Sequence, residues 1–172
     1  KKNLLKKLDY SKKLVGQVKQ EFQLPKSFVT KNLEKVILNE VKKYVFQTLG
    51  KKVKNISIKN FWIVRQFDHE YNPWPVHGGH ISGVGYLKVP KTFGKLKQDN
   101  KTYNNNGNLN LVHGSRMFLN HSTLNIKPVV GDFYFFPNYL MHSVFPFKKS
   151  LEERRSISFN AKIDQSIYNV YE

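Results

Sequence analysis

A chain of 172 residues is long enough for one domain with a sizeable core. It has no cysteine, which excludes disulfides, thiolate zinc sites and iron–sulfur clusters, and it has no apolar run of about 18 residues to cross a membrane. The formal net charge of +17 is uneven: residues 1–65 hold 17 Lys/Arg against 4 Asp/Glu, and residues 66–172 hold 12 against 8. A basic N-terminal third can attract a polyanion weakly, although Lys and Asn are abundant throughout and a solvated surface explains most of the bias.

Residues 12–23, KKLVGQVKQEFQ, alternate in part and fit a strand or a short helix. LPKS breaks the chain after them. Residues 31–49 set Leu33, Val36, Ile37, Val41, Tyr44, Val45 and Leu49 near helical spacing. Thr30 is the expected cap and Gly50 the expected stop. From Val53 onward the texture changes. NISIKNFWIVRQF and ISGVGYLKV read as strands, residues 97–110 as a polar loop, and NLVHG, TLNIKP, GDFYFFP, HSVFPF and RRSISFNAKI as further short strands. The spacing points to a mainly β fold, a sandwich or jelly roll with the helix packed outside. One domain is expected over 1–172, with a helical, basic part to about residue 52 and a barrel over about 53–165.

Two stretches carry chemistry. In Arg154–Asn160, strand alternation lines Arg154, Ser156, Ser158 and Asn160 on one face and Arg155, Ile157 and Phe159 on the other. Arg, two Ser and Asn on one face suit a polar cavity, where Arg can grip a carboxylate through paired hydrogen bonds and a Ser can add a third. In EYNPWPVHGGHISGVGYLKVP, His77 and His80 flank a glycine pair, and His142 stands in a later strand. Two imidazoles beside open positions suit Fe(II). Tyr86 and Tyr134 could donate hydrogen bonds from neighbouring strands. His69, His113 and His121 have no comparable spacing.

The chain resembles the Fe(II)/2-oxoglutarate-dependent oxygenases, in particular small oxygenases common in marine phage genomes. The resemblance runs from about Leu14 to Ile163. It is carried by Trp62, Tyr71-Asn72-Pro73, His77 and the run Ser82–Pro90, then by Pro128, Gly131-Asp132, Phe135-Phe136-Pro137, His142, Val144, Pro146-Phe147 and Glu153–Asn160. It implies a double-stranded β-helix, a cupin-like jelly roll with one or more N-terminal helices outside. It also implies Fe(II) and 2-oxoglutarate as cofactors, with O2 consumed and succinate and CO2 released as a substrate is hydroxylated. His142 would be the distal iron ligand, His77 a ligand from the first motif, and Arg154 and Ser156 the holders of the far carboxylate; from neighbouring strands, Tyr86 and Tyr134 could donate to 2-oxoglutarate. The primary substrate could be a protein side chain, a nucleobase or a small molecule, and the polar loop is expected at the barrel mouth. The resemblance and the lack of cysteine set the expectation of a cytoplasmic protein, in a bacterial host cell if phage-encoded.

The first motif departs from the family pattern of His-x-His or His-x-Asp. In an ungapped reading Pro75 takes the first ligand place and His77 the second. Alternatively His77 is first and Gly79 stands where a carboxylate belongs, as a small residue does in some halogenases of the superfamily. In a third arrangement Gly78-Gly79 kinks the strand and brings His80 to the metal. A different reading keeps the jelly roll without turnover, as a module that binds nucleic acid or sits in a virion.

Overall fold

The computed structural model describes residues 2–74, 77–95, 100–115, 117–119, 121–148 and 150–169. Among the described residues, eight strands form two antiparallel sheets. In chain order they are β1 (Gln20–Gln23), β2 (Ile56–Gln66), β3 (Ile81–Lys88), β4 (Leu109–Val112), β5 (Thr123–Ile126), β6 (Phe133–Pro137), β7 (Met141–Val144) and β8 (Arg154–Ile163). The larger sheet runs β1-β2-β8-β3-β6 and the smaller β5-β4-β7. Among the described residues four α-helices accompany them, α1 (Lys2–Leu8), α2 (Lys26–Asn32), α3 (Glu34–Leu49) and α4 (Gln165–Tyr168), with a 3-10 turn at Ser11–Lys13. The strands at residues 56–66, 81–88 and 154–163 fall where alternation places them. α1 and α4 carry too few residues for a periodic signal.

The helical layer starts earlier than its pattern suggests. Pro25 precedes α2, Thr30 lies inside it rather than capping a helix, and a turn at Leu33 separates α2 from α3. Gly50 closes α3 in the left-handed region (φ 67°), its N–H donating to the Phe46 carbonyl. Of the expected stripe, Ile37, Val41 and Val45 are buried, Leu33 and Tyr44 pack beside them, and Val36 and Leu49 face water.

That stripe covers one face of the large sheet, where Phe61, Ile81, Ile157, Phe159, Ala161 and Ile163 form the main core. Gly83 and Gly85 lie on the same face of β3, since Gly83 pairs with Phe159 and Gly85 with Ile157. A Cβ at either position would overlap the Phe159 or Phe133 ring, so the two glycines make room for these aromatics. The opposite face of the large sheet looks toward the small one. There Val84, Tyr86 and Phe136 pack against Leu109, Leu111, Ile126 and Val144. Jelly rolls bury such inner faces against each other and leave a polar chamber only where the strands present polar residues.

Candidate active site

β8 supplies the polar side of the chamber. Arg154 pairs with Gln66 of β2, Ser156 with Val64 and Ser158 with Trp62, so these residues share the inner face. The cavity they line also takes in His77, Asn72, Ser82, His142 and Asn160, and its empty volume is about 550 Å3, open mouth included. Arg155, one residue out of phase, turns away and pairs with Glu153, which also pairs with Arg65. Alternation along β8 therefore separates one arginine that faces the cavity from one that does not, as the sequence suggests.

His77 and His142 meet in the lining of this cavity. Their Nε2 atoms are 3.0 Å apart and their rings stack at 4.9 Å. Trp62 packs beside His77 and Phe136 meets the His142 ring edge-on. Burial pushes the His77 pKa down to about 4, with the neighbouring His142 adding to it, and burial lowers that of His142 as well. Both imidazoles are therefore neutral near pH 7, the form that binds a metal. The His142 Nδ1 lies 2.9 Å from the Leu140 carbonyl, so Nδ1 carries the proton and Nε2 keeps its lone pair for the cavity.

These residues fit an iron ion. The two neutral imidazoles, with their Nε2 atoms 3.0 Å apart in the cavity lining, could be shared by one ion. Among the described residues no third His, Cys, Asp or Glu joins the pair.

Arg154 shows the fit to 2-oxoglutarate. It is 2% exposed, and its Nε and Nη2 have no hydrogen-bond partner. Its only protein acceptor among the described residues is the Gln66 side chain, at 3.4 Å from Nη1. The Tyr86 ring lies 4.9 Å from the guanidinium, and the Tyr86 hydroxyl is buried without a partner. Burial lowers the pKa of Arg154 and raises that of Tyr86. The guanidinium still stays charged, and the phenol stays protonated, a donor. A buried cation with no counter-ion is costly unless an anion arrives. Ser156, 3% exposed and paired with Tyr86 across β3 and β8, adds a third donor beside them.

The structure sorts the remaining expectations. Tyr134 donates to Asp132 at 3.0 Å, whereas the Tyr86 ring lies 4.9 Å from the guanidinium, so Tyr86 is the tyrosine beside Arg154. His80 is not brought to the histidine pair. The glycine kink is present, with Gly79 at φ 99°, but it delivers His80 to the helical side. There His80 stacks on Tyr168 at 4.0 Å, and its Nδ1 accepts from the Ile163 N–H at 3.1 Å. The correction has a simple cause: the His80 nitrogen that could bind a metal is taken by β8. Pro75, the other candidate place in the first motif, lies outside the described residues, as do residues 97–99 of the polar loop. His69, His113 and His121 are exposed.

Sequence reasoning missed two residues. Gln66, 1% exposed, donates to the Glu70 carbonyl at 2.6 Å and accepts from Arg154. Asn138 donates to the His77 carbonyl at 3.0 Å. An inward amide at the end of a strand is a signal for the first. Nothing in the local pattern marks the second.

Two facing antiparallel sheets enclosing a cavity lined by a histidine pair and by a buried arginine with two unpartnered nitrogens on a central strand define a jelly-roll protein. Residues 60–160 match the family model described as "Putative 2OG-Fe(II) oxygenase", and the chain belongs to that family, which uses Fe(II) and 2-oxoglutarate. Among solved structures, a Pseudomonas putida prolyl-4-hydroxylase aligns over 94% of this chain and 82% of its own (TM-score 0.52, 12% identity). The viral collagen prolyl hydroxylase of Paramecium Bursaria Chlorella virus-1, solved as a 2OG complex, aligns over 92% and 87% (TM-score 0.51, 14% identity). A Trichoplax adhaerens prolyl hydroxylase, in complex with a hypoxia inducible factor oxygen degradation domain peptide fragment, aligns over 91% and 68% (TM-score 0.53, 11% identity). At these identities the likeness is one of fold. No curated protein matches the chain in sequence. No described helix is long and apolar enough to cross a membrane.

Proposed function

We propose that the protein is an Fe(II)- and 2-oxoglutarate-dependent dioxygenase that hydroxylates a C–H bond of its substrate. The observation that supports this best is Arg154: a buried guanidinium with two unpartnered N–H groups, in the same cavity as the His77–His142 pair. His77 and His142 would hold the iron through Nε2. Arg154 would take the far carboxylate of 2-oxoglutarate, with Ser156 and the Tyr86 hydroxyl completing its hydrogen bonds. Bound together, iron and 2-oxoglutarate would activate O2, the oxidant: one oxygen atom ends in succinate as 2-oxoglutarate is oxidised and loses CO2, and the other ends in the hydroxyl formed at the substrate C–H bond. The chain's own part is to orient the co-substrate through Arg154, keep both imidazoles neutral, and wall the site with Trp62, Phe136, Val84 and Leu109 so that water is kept out. Because the solved neighbours named above are prolyl hydroxylases, a proline-containing peptide is the first substrate class to assay.

The test is anaerobic titration of the apo-protein with Fe(II) and then 2-oxoglutarate, followed in the visible spectrum. A charge-transfer band that requires both additions is expected. It should vanish in His142→Ala, and in Arg154→Ala it should need far more 2-oxoglutarate. Arg155→Ala, on the other face of β8, should leave it unchanged. The second reading is a jelly-roll binding module without turnover, favoured by the absence of a third protein ligand among the described residues. Iron left unbound by the wild-type chain would establish that reading instead.

A further inference from the structure

The turn after β6 touches both histidines. Leu140 offers its carbonyl to the His142 Nδ1, and Asn138 donates its side-chain amide to the His77 carbonyl at 3.0 Å. The Asn138 backbone N–H also donates to the His80 carbonyl, again at 3.0 Å. Two residues of one turn therefore span the loop that carries the first histidine and the strand that carries the second. His77 itself lies in no strand; it precedes the bend at Gly78-Gly79 that leads into β3. An irregular backbone keeps its carbonyl where a partner holds it.

The amide of Asn138 is itself oriented. Its Oδ1 accepts from the Tyr168 hydroxyl at 3.2 Å, which leaves Nδ2 aimed at His77. Tyr168 is the last residue of α4, and its ring lies flat on His80 at 4.0 Å and 9°. His80 is anchored in turn by three backbone links: its Nδ1 accepts from the Ile163 N–H, its N–H donates to Ala161, and its carbonyl accepts from Asn138. Gly79 fits only because it lacks a side chain, since a Cβ there would sit 2.8 Å from the Ala161 carbonyl oxygen. The chain is closed: β8 fixes His80, His80 fixes Tyr168, Tyr168 orients Asn138, and Asn138 holds His77.

We infer that Asn138 and Tyr168 are positioning residues that set the place of His77 opposite His142, so that the C-terminal helix α4 governs metal affinity from outside the cavity. The inference rests on His77 and His142 being the metal ligands. Neither Asn138 nor Tyr168 lines the cavity, so their influence passes through the His77 backbone and not through contact with metal or substrate. His80 thereby has a role: it is the platform that seats Tyr168, not a third ligand. Loss of an interaction that orients a ligand typically lowers metal affinity by about ten- to a hundredfold.

The experiment uses the full apo-chain and Co(II) as the probe, reading its visible ligand-field absorption and its affinity, with the apo-protein's thermal midpoint measured alongside. Asn138→Ala should weaken Co(II) binding about tenfold or more and alter the absorption band. Tyr168→Phe keeps the ring on His80 and removes only the hydroxyl, so it should act in the same direction with a smaller effect. Tyr139→Ala, an exposed neighbour on the same turn, should bind Co(II) as the wild type does. If Asn138→Ala and Tyr168→Phe melt earlier yet bind Co(II) with unchanged affinity and spectrum, their role is structural only and the inference is overturned. If Asn138→Ala does not fold, Tyr168→Phe decides alone. Wild type and His142→Ala binding Co(II) alike would overturn the ligand assignment itself, and the positioning role with it. That outcome differs from one in which His142→Ala loses the metal and the Asn138 and Tyr168 variants keep it.

Discussion

Arg154 and Glu21 are buried side chains with charged groups that lack partners, and they resolve the problem in opposite ways. Arg154 cannot give up its proton, so its burial is tolerable only with an anion from outside. Glu21 can take one up. It is 1% exposed, neither carboxyl oxygen has a hydrogen-bond partner, and Gly16 lies close enough that a Cβ there would be 2.8 Å from Oε1. Across the sheet Glu21 is opposite Val64, whose side chain lines the cavity. Burial raises its pKa from 4.5 to about 7, and the carboxylates of Asp9 and Glu70 add to the rise. The folded state therefore binds this proton more tightly than the unfolded state does. The favourable state is complete below about pH 4.5 and is lost as pH rises to about 7. Glu21→Gln keeps the shape and removes the titration. Urea midpoints should coincide for the two proteins near pH 4.5, and the variant should be the more stable at pH 8. Equal midpoints at pH 8 would mean that Glu21 finds a cation in solution.

At the scale of elements, the outer face of the large sheet depends on α3. Val41 is fully buried between the helix and the sheet, with Ile37 and Val45 a turn to either side. Val41→Ala removes two methyl groups from a packed interface and should cost about 2 kcal/mol, measured as a fall in the urea midpoint with the slope unchanged. Cofactor affinity should not move, because the helix and the cavity lie on opposite faces of the sheet. This separation of faces was legible beforehand in β8, where a two-residue period sends Arg154 and Ser156 one way and Arg155 and Ile157 the other. The fate of His80 was not legible. A glycine pair announces a bend but not its direction, and the direction is set by Ala161 and Tyr168, which lie 81 and 88 residues further along the chain. α4 is four residues long and has no periodicity to betray it. Gln66 and Asn138 escaped for a related reason: their partners are reached through single side-chain amides across the fold, and such bonds leave no pattern in the local sequence.

On the scale of the whole molecule, charge and chemistry are segregated. The first 65 residues, which include α1–α3, β1 and nearly all of β2, hold 17 Lys/Arg against 4 Asp/Glu, while among the described residues the cavity offers a polyanion one buried arginine. Around Phe46, which is 52% exposed, Lys42, Lys43 and Lys52 line a shallow groove on the helical side of the sheet. Such a surface attracts polyanions without shape or sequence preference, through release of their counterions. Duplex DNA should therefore bind weakly, and the affinity should fall with a log–log salt slope of about −3 to −4 if about four phosphates are neutralised. Lys42→Glu together with Lys43→Glu should flatten that slope by about two units. The 2-oxoglutarate titration should respond far less to salt, because Arg154 is buried and screened poorly by ions. Fluorescence anisotropy of labelled DNA at several salt concentrations, run beside the 2-oxoglutarate titration, separates the two. If both respond equally to salt and to the lysine substitutions, the basic surface and the cavity act as one site. If only the DNA signal responds, the helical layer is an independent electrostatic surface carried on an oxygenase barrel.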